Sequence, residues 1–198
     1  MITAIQKNEV DVVKCLVTKD RKIIRALTNH SQHTMIGYAA DKGLYDIVKV
    51  LIDAGASVNG ANKNGYTPLM NAVSEGHYKV AMALIHAGAK KELRDKGGYT
   101  ALMMAAYHGY LNVVKSLVEK GAKINVKNSV GESTLMKAVE ENRVEVVKYL
   151  VKNGAKIDST NRDGDTALDI ARIKNYTDLY IFLEEKEREK SPEANELR

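Results

Sequence analysis

The sequence has few of the residues that build large aromatic cores. It has no tryptophan, one phenylalanine (Phe182) and ten tyrosines. A core made from this chain must therefore consist mainly of alanine, leucine, valine, isoleucine and methionine side chains. Such a composition favours small, closely stacked helices over one large core.

Cysteine and long apolar runs are scarce as well. Cys15 is the only cysteine, so the chain cannot form an internal disulfide bond. No stretch approaches the roughly 18 uncharged apolar residues of a membrane span. Charge at Lys7 and Glu9 excludes a secretory signal at the N-terminus. If Met1 is the native start we expect a cytoplasmic protein, and if a signal peptide was removed, a periplasmic or secreted one.

The net charge of +5 is spread unevenly along the chain. Carboxylates outnumber cations from Glu184 onward, so the positive excess lies in the preceding residues. A basic body can attract an acidic partner by electrostatic steering. Nucleic acid would require lysines and arginines clustered on one face, whereas these lysines lie beside Glu and Asp, as on a solvated helix face.

Glycine recurs at a fixed interval. Gly65, Gly98, Gly131 and Gly164 lie 33 residues apart and precede the similar elements "YTPLM", "YTALM", "ESTLM" and "DTALD". A second set keeps the same step, namely Gly55, Gly88, Gly121 and Gly154. Self-similarity at such a period is the signature of a repeat architecture.

Each repeat predicts two helices and a projecting loop. Thr67, Thr100 and Thr166 are predicted N-caps of a short first helix, with Pro68 at its first position. A second helix has apolar residues at i, i+3 and i+4 spacing and ends at a glycine suited to a left-handed C′ position. One repeat cannot bury its apolar face alone, so neighbouring repeats must stack.

These units resemble ankyrin repeats, whose 33-residue pattern carries T-P-L-H-x-A. The resemblance covers residues 1–183 and implies an all-α solenoid of stacked helix pairs with projecting β-turn loops. The predicted units are a degenerate first one (1–20), four full ones (21–62, 63–95, 96–128, 129–161) and a last one (162–183). A charged helical extension (184–198) follows and is expected to fray or be disordered at its end.

The histidine of the family pattern is replaced in every copy, by Gly37, Met70, Met103, Met136 and Asp169. The inter-repeat hydrogen bonds associated with that histidine are therefore expected to be absent. Flexible methionine packing is predicted in their place.

No catalytic signature is present, which predicts a non-enzymatic protein without cofactor or metal. Phosphate-loop, zinc-protease and nucleophile-elbow motifs are all missing. His30 and His33 lack the further ligands of a metal site. The calcium-loop-like stretch "NRDGDTALD" lacks the required glutamate, and the repeat itself accounts for Gly164 and Thr166.

The resemblance implies that partner contacts lie at loop tips and on the exposed side of the first helices. Transferred position by position, it predicts a partner-binding set of Tyr66, Tyr99, Tyr107, His108, Lys63, Lys96, Asn64, His33, Glu75, Glu132, Glu140, Glu141 and Asp165. The three tyrosines are its centre, because tyrosine is enriched among residues that dominate binding energy. The alternative is that they pack on neighbouring loops and hold the stack together.

These observations predict a protein-interaction module whose concave face holds one specific protein. The sharper version is an inhibitor or self-protection protein that occludes a partner enzyme. The alternative is a scaffold or adaptor that links several proteins. A nucleic-acid partner is disfavoured because the later repeats are acidic. We also expect no membrane insertion, a monomer in isolation and, from the Lys-, Asn- and Ile-rich usage, a bacterial source.

Overall fold

The structure, a computed structural model, describes residues 1–20 and 34–190. These residues form twelve α-helices and no strand, which confirms the all-α repeat fold. The helices are α1 (Ile2–Gln6), α2 (Val10–Lys19), α3 (Met35–Asp41), α4 (Tyr45–Asp53), α5 (Pro68–Ser74), α6 (Tyr78–His86), α7 (Ala101–His108), α8 (Leu111–Glu119), α9 (Thr134–Glu140), α10 (Val144–Lys152), α11 (Ala167–Ile173) and α12 (Thr177–Lys190).

The chain divides into two compact units, Met1–Met104 and Ala105–Arg198. In the first unit, α3 packs on α4 and α5, and α6 packs on α4 and α5. Helix α2 packs on α1 and α4. In the second unit, α9 packs on α10 and α11, α8 packs on α10, and α11 packs on α12. The first helices α3, α5, α9 and α11 therefore each contact their own second helix and a neighbouring first helix.

The first helices begin at the hydroxyl caps that the sequence predicts. The Thr67 side chain accepts a hydrogen bond from the Met70 N–H at 3.2 Å, and Thr166 accepts one from the Asp169 N–H at 3.1 Å. Thr100 accepts the N–H of Met103 at 3.3 Å. Pro68 occupies the first helical position. Each such cap stabilises its helix by about 1 kcal/mol.

Two residues that replace the family histidine accept a hydrogen bond from the backbone N–H of the N-cap residue. The Thr67 N–H donates to Met70 Sδ at 3.5 Å, and the Thr166 N–H donates to Asp169 Oδ2 at 3.0 Å. The Thr166 hydroxyl also donates to that oxygen, at 2.7 Å. These hydrogen bonds from Thr166, with a smaller contribution from Arg172, lower the pKa of the Asp169 carboxyl. The substituted residues thus form capping boxes within their own repeat.

A different position supplies hydrogen bonds between repeats. Arg143 Nε donates to the carbonyl oxygen of Tyr107 at 2.9 Å, and the Tyr176 hydroxyl donates to that of Glu140 at 3.4 Å. His77 Nε2 lies 3.1 Å from the carbonyl oxygen of Asp41. Each pair joins the start of a second helix to a residue 36 positions earlier. Three chemically different side chains therefore make the same link.

The core repeats with the same period. In the five helix pairs from α3 and α4 onward, one leucine of the second helix is wholly buried, namely Leu51, Leu84, Leu117, Leu150 and Leu183. One alanine of the first helix of each of these pairs is buried as completely, namely Ala39, Ala72, Ala105, Ala138 and Ala171. The small side chains allow close helix packing, and the leucines fill the space between the helix pairs.

Gly65 lies where two turns meet and no side chain fits. Its φ is +85°, and an added Cβ would lie 2.8 Å from the Asp95 Cα. Gly88 has nearly the same φ, +84°, but nothing lies within 4 Å of its Cβ position. Gly65→Ala should therefore lower the free energy of unfolding by about 2–3 kcal/mol, and Gly88→Ala by about 1 kcal/mol. Urea denaturation would measure both losses, and equal losses would show that the close approach is unimportant.

Candidate functional site

Four turns of the same construction project from the helices, two in each compact unit. We define the first tip pair as residues 62–66 and 95–99, and the second tip pair as residues 128–132 and 161–165. Asn62 Oδ1 accepts the N–H groups of Asn64 and Tyr66 at 2.9 and 3.0 Å. Asn161 Oδ1 likewise accepts those of Asp163 and Asp165 at 2.9 Å. These side-chain bonds hold the turns in one conformation.

Backbone hydrogen bonds join the two turns within each tip pair. The Lys96 N–H donates to the carbonyl oxygen of Asn64 at 3.0 Å, and the Arg162 N–H donates to that of Val130 at 3.1 Å. Gly65 and Gly131 make the close approach possible, since an added Cβ on either would contact the adjoining backbone. The side chains of each tip pair are therefore presented by an ordered backbone.

The first tip pair combines exposed lysines with half-buried tyrosines. Lys63, Asn64 and Lys96 are exposed, whereas Tyr66 and Tyr99 are half-buried. Burial raises the pKa of Tyr66, and Asp95 and Tyr99 raise it further. The Tyr66 hydroxyl thus stays protonated at neutral pH and can donate a hydrogen bond.

The second tip pair has acidic residues at the positions of those tyrosines. Glu132 and Asp165 take the places of Tyr66 and Tyr99 on turns of the same geometry. Glu132 Oε2 accepts a hydrogen bond from Asn128 Nδ2 at 2.6 Å. The neighbouring Val130 is 49% exposed. This surface is therefore acidic with one exposed apolar side chain.

A buried lysine organises the acidic residues near the second tip pair. The Lys137 side chain is 7% exposed, and its Nζ lies 3.5 Å from Glu132 Oε2 and also pairs with Glu140. The same Nζ lies 5.2 Å from the centroid of the Tyr107 ring, within cation–π range. Much of the acidity expected at Glu132 and Glu140 is thus compensated within the molecule.

Three rings form a continuous aromatic run beside this lysine. Tyr107 and His108 make an edge contact with ring centroids 5.2 Å apart, and His108 stacks on Tyr110 at 5.4 Å. All three are half-buried. Arg143, which bonds the Tyr107 carbonyl oxygen, also lies 3.9 Å from Glu141. Tyr107 is therefore held by Lys137 and Arg143, the two cations that also contact the carboxylates.

The structure places the predicted residues in two groups, one in each compact unit. The first group gathers at the first tip pair and consists of Lys63, Asn64, Tyr66, Lys96 and Tyr99, while Glu75 is exposed at the end of α5. The second group lies around Lys137, Arg143 and the second tip pair and consists of Tyr107, His108, Glu132, Glu140, Glu141 and Asp165. His33, like His30, lies outside the described residues.

Sequence reasoning missed Lys137, Tyr110 and Arg143. A signal for Lys137 did exist, because the equivalent positions of other repeats hold Tyr38, Asn71, Met104 and Ile170. A lysine in that series needs a specific partner to be buried.

The part of the chain that the structure describes was also searched for metal sites and membrane spans. It holds no group of three or more His, Cys, Asp or Glu residues arranged to bind a metal ion. None of its helices combines the length and the apolar character that crossing a bilayer requires.

Two family models match the chain. One, described as ankyrin repeats (three copies), matches residues 1–62 and 58–128. The other, described as ankyrin repeats (many copies), matches residues 135–183. A comparison with curated proteins gave no match. The matched ranges reach into both compact units.

Proposed function

Because the chain belongs to the ankyrin-repeat family, we propose that it is a non-enzymatic module that holds one specific partner protein. Ankyrin repeats generally mediate protein–protein interaction, and proteins built from them are typically binding modules without catalytic activity. The contacts would be made by the tip pairs and the exposed side of the first helices.

The observation that carries this proposal is the variation of side chains on a constant turn. Tyr66, Tyr99, Glu132 and Asp165 occupy the same position of four turns, whose backbone hydrogen bonds are the same. The turn itself does not require this diversity, because it has the same backbone hydrogen bonds whether the side chain is a carboxylate or an aromatic ring. Variation of this kind on a constant turn is expected of a surface that recognises a partner, and half-buried tyrosines are suited to anchoring one.

The sharper form of the proposal is that the partner is an enzyme whose active site this module covers. A module that only binds its partner could inhibit that enzyme by covering the active site, with no chemistry of its own. The alternative, an adaptor for two proteins, is supported by the different chemistry of the two tip pairs, one in each unit. The number of partners and their activity distinguish the two forms.

A photo-crosslinking experiment tests the module itself. Benzoylphenylalanine would be placed at Tyr99 or Tyr107, and at Tyr45 or Tyr78 as controls on second helices, where the side chains are 37% and 44% exposed. We expect one dominant protein to be captured from extracts of the native cell by the first two variants only. Its activity should then fall stoichiometrically with added module. Several unrelated captured proteins would favour the adaptor, and capture by no variant would contradict the proposal.

Truncation of the same tyrosines gives the energetic prediction. Tyr99→Ala and Tyr107→Ala should each weaken partner binding by about 2 kcal/mol, because aromatic anchors dominate such interfaces. Calorimetry with the captured partner measures the loss, and Tyr78→Ala is the matched control. If affinity is unchanged and only the melting temperature falls, these tyrosines hold the stack instead of binding a partner.

A further inference from the structure

The two tip pairs have the same backbone hydrogen bonds but carry side chains of opposite charge. In the first, Lys63 and Lys96 are exposed and form no ion pair among the described residues. Its one carboxylate, that of Asp95, accepts the Tyr99 N–H at 2.8 Å through Oδ1 and so serves the turn. In the second, Ser129 and Arg162 stand at the lysine positions, Glu132 pairs with Lys137, and Asp163 and Asp165 outnumber the single cation of the two turns.

We propose that the first tip pair binds an acidic segment of the partner protein. The carboxylates of the segment would pair with the ammonium groups of Lys63 and Lys96, and its backbone would lie across the rings of Tyr66 and Tyr99. This inference rests on the proposed function and adds the chemistry of the partner. It is carried by charge complementarity, because two exposed lysines outnumber the half-buried carboxylate of Asp95 on an ordered backbone.

The residues just before the second turn add positive charge, since Lys90, Lys91 and Arg94 outnumber Glu92. Arg94, directly before the second turn of the pair, is exposed and has no ion pair within residues 1–20 and 34–190. Lys90 is exposed as well, and its N–H is fixed by Asn59 Oδ1 at 2.8 Å. The Tyr66 hydroxyl adds a neutral donor for a carboxylate oxygen.

A short acidic peptide fits this surface better than nucleic acid does. Tight binding of a phosphate backbone requires many phosphate contacts made by lysine and arginine. The first tip pair offers two lysines within two short turns, which matches a few carboxylates. The half-buried tyrosines also suit the mixed polar and apolar character of a protein segment.

The experiment compares three labelled probes by fluorescence anisotropy at low and physiological ionic strength. They are a Glu-rich peptide, the same peptide with Lys in place of Glu, and an oligothymidine of equal length. We expect the Glu-rich peptide to bind most tightly, with an affinity that falls as salt is added. The inference is overturned if it does not bind, or if either other probe binds more tightly.

The chain supplies its own matched control for the variants. K63E/K96E replaces both lysines with glutamate and so reverses their charge. S129E/R162E introduces glutamate at the equivalent positions of the second tip pair. The first double variant should weaken Glu-peptide binding by about tenfold or more, and the second by less than about twofold. If K63E/K96E does not fold, as judged by circular dichroism, K63Q/K96Q should still weaken binding by about threefold. Equal effects at the two tip pairs would refute the inference.

Failure here and failure of the proposed function have different signatures. If crosslinking at Tyr99 captures a protein while the Glu-rich peptide does not bind, only the acidic partner is refuted. If crosslinking captures nothing, the binding module itself is refuted, whatever the peptides do.

Discussion

Replacing Lys137 with glutamate should cost the second compact unit about 3–5 kcal/mol of unfolding free energy. The side chain is 7% exposed and its ammonium pairs with both Glu132 and Glu140. A glutamate there would put a buried third carboxylate beside Glu132 and Glu140 in place of the cation that pairs with both. Urea denaturation followed by circular dichroism measures the loss, and amide hydrogen exchange should show that protection falls first in α9 and α11.

Lys137→Met is the control that separates charge from volume. Methionine keeps an unbranched stem of similar length, and Met104 stands at the equivalent position of another repeat. Glu132 and Glu140 are 21% and 32% exposed, so their carboxylates can turn to water. We expect this variant to lose less than about 1.5 kcal/mol. Similar losses for the two substitutions would mean that packing, and not buried charge, holds this position.

Truncating Leu117 to alanine should cost about 2–5 kcal/mol. Leu117 is wholly buried in α8, which packs on α10, so the substitution leaves a cavity between two second helices. Amide hydrogen exchange should show that protection falls in α8 and α10 together. Val130→Ala, on a side chain 49% exposed, should stay within about 0.5 kcal/mol of the wild type. An effect of Val130→Ala as large as that of Leu117→Ala would contradict the assignment of the core.

The fold was predictable because its rules are local and repeated. Three features recur, and each has one local physical cause. They are a threonine before a short helix, a leucine every 33 residues and a glycine after α4, α6, α8 and α10. The copies average out the ambiguity of any single stretch. The hydroxyl caps at Thr67, Thr100 and Thr166 were therefore confirmed residue by residue.

The candidate site was less predictable because its contacts join residues that are distant in sequence. Lys137 reads as one more surface lysine until Glu132, Glu140 and the Tyr107 ring are seen around it. The role of Met70 was also hidden, since methionine predicts packing, whereas its sulfur accepts the Thr67 N–H. Neither the burial of a lysine nor the orientation of a thioether follows from helical periodicity.

The side-chain link between neighbouring repeats has a consequence for how the protein opens. In a linear array, stability is a sum of repeat terms and of nearest-neighbour terms, and His77, Arg143 and Tyr176 each belong to a neighbour term. Arg143 donates through a charged guanidinium at 2.9 Å, whereas Tyr176 donates through a neutral hydroxyl at 3.4 Å. This hydrogen bond is therefore weaker at Tyr176, which favours opening of the last helix pair before the preceding repeats. The side chain at this position, where it makes the link, therefore adjusts how strongly two neighbouring repeats are coupled during unfolding.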